Sequence, residues 1–274
     1  MIPNRLVKPL LFYATASVLA IFCLVPFFWM VSTSLKTKGA LISIPIQWIP
    51  KEASLESYRK IFTFFDFGRI LFNSAFVTVS ITLITLVSAL MAAFVFAKIE
   101  FRGRETLFAV FLATMMVPGQ VTIIPIFLVL KELHLLGSFT GLMLPSIFNA
   151  FAIFMLRQFI KTIHNDYLDA AYMDGSSIPG AFIRIVVPLS VPIIATLGII
   201  TIMGAWNDYF WPLVVLSDKD KMTLPLALSS LNGQYGSEYN TLMAGSLISM
   251  APIIALYFAA QSLFKSGLQL GGIK

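Results

Sequence analysis

Few residues in this sequence offer chemistry. Its 274 residues hold one cysteine, Cys23, and two histidines, His134 and His164. Neither their number nor their spacing supports a zinc or iron site, so no metal is expected. No Gly-x-Ser-x-Gly occurs, which removes the nucleophile elbow of an acyl-transfer enzyme. No Gly-x-x-x-x-Gly-Lys-Ser/Thr loop occurs either. The closing SGLQLGGIK has the wrong spacing and lacks the hydroxyl residue. The chain is therefore expected to be no enzyme and to hold no cofactor of its own. What stands out instead is NDYLDAAYMDGSSIPG, residues 165–180, where Asp166, Asp169 and Asp174 sit among small residues. Its chemistry is that of contact.

Read as a helix from Asp166, this stretch places Leu168, Ala171, Tyr172 and Gly175 at i, i+3, i+4 and i+7, on one face. Asp166 suits the N-cap, and Asp169 follows three residues later, as in a capping box. Both carboxylates favour the positive end of the helix dipole. Gly175 suits the left-handed position that ends a helix. Ser177 then caps a second helix, with Pro179 tolerated in its first turn. A helix of about nine residues is marginal alone in water, so its apolar face needs burial. Two fates are open. The face lies on the chain's own loops or in the lipid headgroups, or it fits a cytosolic partner, with Ala170, Ala171, Gly175 and Ser176 allowing close approach.

The elements that position this stretch are membrane helices. The chain is 58% hydrophobic and 12% charged, where a soluble domain carries roughly a quarter charged residues. A bilayer core needs about 20 apolar residues per helical span. Six segments qualify, near 10–31, 70–97, 107–130, 139–156, 187–206 and 242–264. The runs are too long for barrel strands of about 10 residues, so the fold class is an all-α polytopic membrane protein. The first run ends in VPFFWMV, bulky where a signal peptide would have small residues, and reads as a retained span. The net charge of +6 suits loops against lipid headgroups better than nucleic-acid binding. With both termini on one side, the 19 basic residues divide almost evenly across the membrane, and charge alone leaves orientation open. The short loop KIEFRGRE is the best local sign of a cytoplasmic turn.

Prolines lie in or at the ends of most spans, at Pro26, Pro118, Pro125, Pro145, Pro192 and Pro252. They mark either ordinary kinks or bent helices around a pathway. Intramembrane charge is nearly absent, which disfavours ion-coupled transport. Asp208, in AWNDYFW, is the nearest candidate, although its aromatic neighbours suit the interfacial belt. Asn149, Asn207, Asp208 and Tyr209 are candidate lining residues of a solute pathway. The glycine-rich LNGQYGSEYN suits an adaptable external contact surface.

DAAYMDGSS followed by FIRIVVPLSVP resembles the EAA loop of binding-protein-dependent ABC importer permeases. Asp169, Ala170, Ala171, Asp174, Gly175 and Pro188 occupy the places of that pattern. NSAFVTVSITL, FAKIEFRGRETLF, MMVPGQVTIIPIFLVLKELHLLGS, AWNDYFWPL and GLQLGGIK are similar to the carbohydrate-type branch, in the smaller permease of the maltose second-subunit type. Two positions depart from the pattern. Asp169 replaces a glutamate, and Ile163-His164 replaces Ile-Pro.

The resemblance implies a type I importer permease fold with six spans, formed by one domain over residues 1–274. It implies that 165–187 is a cytoplasmic coupling loop, with Leu168 to Tyr172 and Asp174 to Ser176 meeting an ATPase. The expected partners are a second permease in a heterodimer, two cytosolic ABC ATPases that bind ATP and Mg, an extracytoplasmic solute-binding protein and membrane lipid. The expected location is a prokaryotic inner membrane, multi-pass, with both termini cytoplasmic. The expected cargo is a sugar, oligosaccharide or related polyol. A self-contained secondary carrier and a non-transporting membrane scaffold are the alternatives.

Overall fold

The computed structural model describes residues 4–37, 46–231 and 239–269. Most of LNGQYGSEYN and of GLQLGGIK lies outside them. Among the described residues there is no strand. The helices are α1 (Asn4–Ser34), α2 (Glu56–Phe64), α3 (Phe67–Lys98), α4 (Arg104–Thr114), α5 (Gly119–Glu132), α6 (Phe139–Met143) and α7 (Ala150–Thr162). They continue as α8 (Asp166–Met173), α9 (Ile178–Ala181), α10 (Val187–Leu189), α11 (Val191–Trp206), α12 (Phe210–Val215), α13 (Leu224–Ser230) and α14 (Tyr239–Gln269).

Three helices are long and apolar enough to cross a membrane, over Lys8–Ser34, Phe67–Lys98 and Tyr239–Ala259. Three bent pairs bring the total to as many as six. Their bends have local causes. α4 and α5 meet at 99° across Pro118, whose ring cannot continue the helix. The helical stretches Phe139–Ile147 and Ala150–Thr162 meet at 41°. There the Asn149 side chain accepts from Ala152 N–H at 3.0 Å and starts α7 afresh. Ile178–Leu189 and Val191–Trp206 meet at 75°. Pro188 and Pro192 withhold backbone donors on both sides of that bend, and a π-helical turn over Phe182–Val186 precedes it. The sequence's third, fourth and fifth spans are thus broken helices.

The chain packs as two compact units. One comprises Met1–Phe67 and Ala227–Pro252. Every α1 residue from 8 to 28 is exposed. The last turns of α1 are tied to the segment that follows by polar contacts. Ser34 pairs with the Tyr58 hydroxyl at 2.9 Å, Ser32 donates to the Trp48 carbonyl at 2.6 Å, and Lys36 sits 3.9 Å over the Trp29 ring.

The other unit comprises Gly68–Leu226 and Ile253–Lys274. Its larger core joins Ala89, Ala93 and Phe94 of α3 to Leu156 and Ile160 of α7, Leu168 of α8 and Leu197 of α11. Small residues at α3 positions 89 and 93 let the helices approach closely. A second cluster joins Val77, Leu130, Leu142, Val215 and Leu226. The segment after α11 is lashed down within this unit. Trp211 Nε1 donates to the Leu142 carbonyl at 3.1 Å, and Gly137 N–H to the Val215 carbonyl at 2.8 Å. This segment is therefore packed structure, since its apolar residues Val215, Leu216 and Leu226 fill the second cluster.

Candidate functional site

Two features of the larger unit could carry function: the polar helix α8 with its turn, and a cavity among α3, α5, α7 and α11.

α8 spans eight residues, Asp166–Met173. Asn165 takes the N-cap place, with no side-chain bond, and Asp166 is already helical. The expected cap at Asp166 is thus shifted by one residue. Asp166 and Asp169 both lie in the first turn, where the dipole favours them. The C-terminus is a Schellman motif. Gly175 has φ 80°, its N–H donates to Tyr172 O at 3.0 Å, and Ser176 N–H donates to Ala171 O at 2.9 Å. The Ser177 side chain accepts from Gly180 N–H at 3.3 Å and starts α9, with Pro179 in its first turn. A Cβ at Gly180 would come 2.8 Å from Ser176 Oγ, so the turn closes tightly against glycine.

The faces of α8 are divided. Leu168 is only 4% exposed and belongs to the chain's own core, with Ala171 packed beside it. The two faces thus differ in burial. Leu168 and Ala171 anchor it, while Tyr167, Tyr172 and Met173 face outward, Met173 at 88% exposure. Asp169, Ala170, Asp174 and Gly175 are exposed, and Ser176 is half-buried.

Three charged residues, Lys98, Arg157 and Glu105, tie the elements around α8 together. Lys98, the last residue of α3, donates to Ile163 O at 2.5 Å and to Asn165 Oδ1 at 2.7 Å. Arg157 of α7 is 3% exposed. Its Nη2 reaches both Glu105 carboxylate oxygens, at 2.5 and 2.7 Å, and its Nε donates to Phe96 O at 3.0 Å. Its guanidinium carbon lies 3.8 Å from the Phe108 ring centre. A buried guanidinium needs such partners to offset its desolvation. The dense charge of KIEFRGRE marks Lys98 and Glu105 as charged but not their partners, and Arg157 lies outside it.

The cavity encloses about 440 Å³, within the ~300–1,000 Å³ usual for small-molecule sites. Its walls are apolar, from Ile81, Ile123, Ile126, Leu197 and Ile200, with Gly119 and Gly204 opening the space. Thr85, Thr122, Ser146, Asn149, Thr201 and Asp208 supply the polarity. Several of these hydroxyls already donate to backbone carbonyls, Thr85 to Ser146 O at 3.1 Å and Thr201 to Leu197 O at 2.8 Å. Their lone pairs remain to accept. Of the four candidate pathway residues, Asn149 and Asp208 line this cavity. Asn207 and Tyr209 are not among its walls and are exposed. Burial pushes the Asp208 carboxyl up from its ordinary value, and backbone N–H groups of Trp211 and Phe210 pull it partly back. The Trp211 N–H bond is 3.2 Å.

Among the described residues no cluster of His, Cys, Asp and Glu could hold a metal ion.

Comparison with known proteins adds the context. Residues 84–269 match the family described as "Binding-protein-dependent transport system inner membrane component". The arabinooligosaccharides transport system permease protein AraQ of Bacillus subtilis (strain 168) is 36% identical over 267 residues, covering 96% of this chain and 94% of that one. The lactose transport system permease protein LacG of Rhizobium radiobacter is 32% identical over 262 residues, covering 96% and 95%. A chain of a bacterial ABC transporter that imports the acidic polysaccharide alginate shares the fold. Its TM-score is 0.83 at 23% identity, over 96% of this chain and 98% of that one.

Proposed function

We propose a role for this chain, which belongs to the family of binding-protein-dependent transport system inner membrane components. It is the permease subunit of an ATP-driven importer, and its cargo is a sugar, oligosaccharide or related polyol. The single observation that carries this reading is α8, held to the chain's own core by Leu168 while Tyr167, Tyr172 and Met173 face outward. An anchored helix with an exposed aromatic face suits docking into a partner's groove.

In this reading α8 and its glycine turn meet a cytosolic ATPase, one of two that bind ATP and Mg. The exposed apolar length of α1 meets lipid and a second permease, which supplies the other half of the pathway. A solute-binding protein delivers cargo from outside, and both termini are cytoplasmic. Closure of the ATPases pushes α8 and switches the pathway from inward-open to outward-open. The relatives named for arabino-oligosaccharides and lactose support a saccharide cargo. The hydroxyl-rich cavity around Asp208 suits it as well.

The test is reconstitution with the second permease, the ATPases and the binding protein, using labelled arabinotriose. Uptake is expected to require ATP. Pairing Tyr172→Ala with Met173→Asp is expected to weaken ATPase association by about tenfold or more while the spans stay folded. Uptake by the chain alone on an ion gradient would overturn the reading in favour of a self-contained carrier. Firm ATPase binding with no ATP-dependent uptake would leave a scaffold.

A further inference from the structure

The joint between α7 and α8 has little backbone support. Ile163 leaves the helix in an extended conformation, at φ −71° and ψ 123°, and α8 restarts with no side-chain bond at Asn165. Ile163 and Leu168 seat its two sides in the core, and the exposed link at His164 between them depends on polar contacts. Lys98 bridges it from the end of α3. One ammonium group donates to a group on each side of His164, Ile163 O at 2.5 Å and Asn165 Oδ1 at 2.7 Å. The ammonium also sits at the C-terminal end of α7, where the dipole favours a cation.

One turn deeper, Arg157 ties α7 to its neighbours. It bonds the Phe96 carbonyl near the end of α3 and the Glu105 carboxylate in the first turn of α4. Charge-assisted bonds of this geometry are stronger than neutral ones. α4 leads through the Pro118 bend into α5, whose Gly119, Thr122, Ile123 and Ile126 line the cavity. Hydrogen bonds from Lys98 and Arg157, together with the Arg157–Glu105 ion pair, thus link the base of α8 through the end of α3 to the element that leads to the cavity wall.

We propose that Lys98 is a positioning residue that locks the α7–α8 joint to α3. A push on α8 then moves α3, α4 and α7 as one piece instead of swinging α8 about His164. The transmission part rests on the reading of α8 as the ATPase contact, whereas the lock itself does not.

The experiment uses the whole importer in nanodiscs, purified through this chain. It reads backbone amide exchange and the hydrolysis of Mg-ATP. Lys98→Met keeps the apolar stem and removes the cation. Exchange over 163–176 is expected to rise by about tenfold, with the middles of α3 and α7 unchanged. The kcat for ATP is expected to fall several-fold, with KM for ATP unchanged. Lys98→Arg restores donors to both acceptors and is expected to recover both readouts. Asn165→Ala cuts the bridge from the other side and is expected to shift both the same way, which keeps the test alive where Lys98→Met fails to assemble. Unchanged exchange, or equal effects from Met and Arg at position 98, overturns the lock. Raised exchange with normal hydrolysis overturns the transmission. ATPases missing from the wild-type preparation would overturn the reading of α8, and the exchange data would still decide the joint.

Discussion

His134 holds a backbone conformation that its side chain disfavours. Its φ is 56°, in the left-handed region, at the end of α5. Its N–H donates to Lys131 O at 3.0 Å, and Leu135 N–H donates to Leu130 O at 2.9 Å. This is the pairing that Gly175 makes after α8, with histidine in the glycine place. A left-handed residue with a Cβ costs about 1–2 kcal/mol, part of which glycine loses again to its freer unfolded chain. His134→Gly is therefore expected to stabilise the protein by up to about 1 kcal/mol. Thermal unfolding of the purified protein in detergent measures it, and a lower midpoint would contradict it. A lone histidine in a sequence suggests metal or proton chemistry, and residue type carries no sign of φ. Gly175 is the opposite case, since its type and its place after a capped apolar pattern already announce the turn.

For α8 as an element, local rules account for the outline and miss the allocation of faces. The dipole-facing aspartates, the glycine turn and the Ser177 cap depend on neighbours in sequence, so they were legible there. Leu168 against Tyr172 was not, because both fall on the same apolar stripe. Which of them is buried depends on α3 and α7, more than sixty residues away in the case of Phe94. The two should fail differently. Leu168→Ala removes a 4%-exposed side chain from the core and is expected to cost about 2–4 kcal/mol in local stability. Tyr172→Ala, at 37% exposure, is expected to leave stability within about 0.5 kcal/mol. Limited proteolysis between α7 and α9 separates them. Faster cleavage of the Leu168 variant alone is the expected result, and equal cleavage would place both residues on the anchoring face. Lys98 and Arg157 were hidden for the same reason, since a cation's partner 52 to 67 positions away leaves no local pattern.

At the scale of the molecule, the apolar runs carried the spans because lipid demands continuous hydrophobic length. The bends are a different matter. Pro26, Pro118 and Pro252 look alike in the sequence. Pro26 and Pro252 lie inside continuous helices, while α4 and α5 break by 99° at Pro118. Gly119 follows Pro118 directly, and Thr114 to Val117 close the preceding helix in tight turns, so the chain has room to change direction there. The cavity lies between α5, which starts at that break, and α11. Its walls come from segments as distant as Ile81 and Trp211, which no local pattern connects. Gly204 is the position at which to test whether solute uses this space. A Cβ there meets nothing within 4 Å, so a larger side chain enters the void without displacing packed atoms. Gly204→Phe is expected to cut arabinotriose uptake by about tenfold or more, because an aromatic ring takes a large share of a small-molecule cavity. Its melting point and its ATPase association should match the wild type, and Gly204→Ala should transport nearly normally. Full uptake by the Phe variant would mean that cargo crosses by a route this cavity does not form.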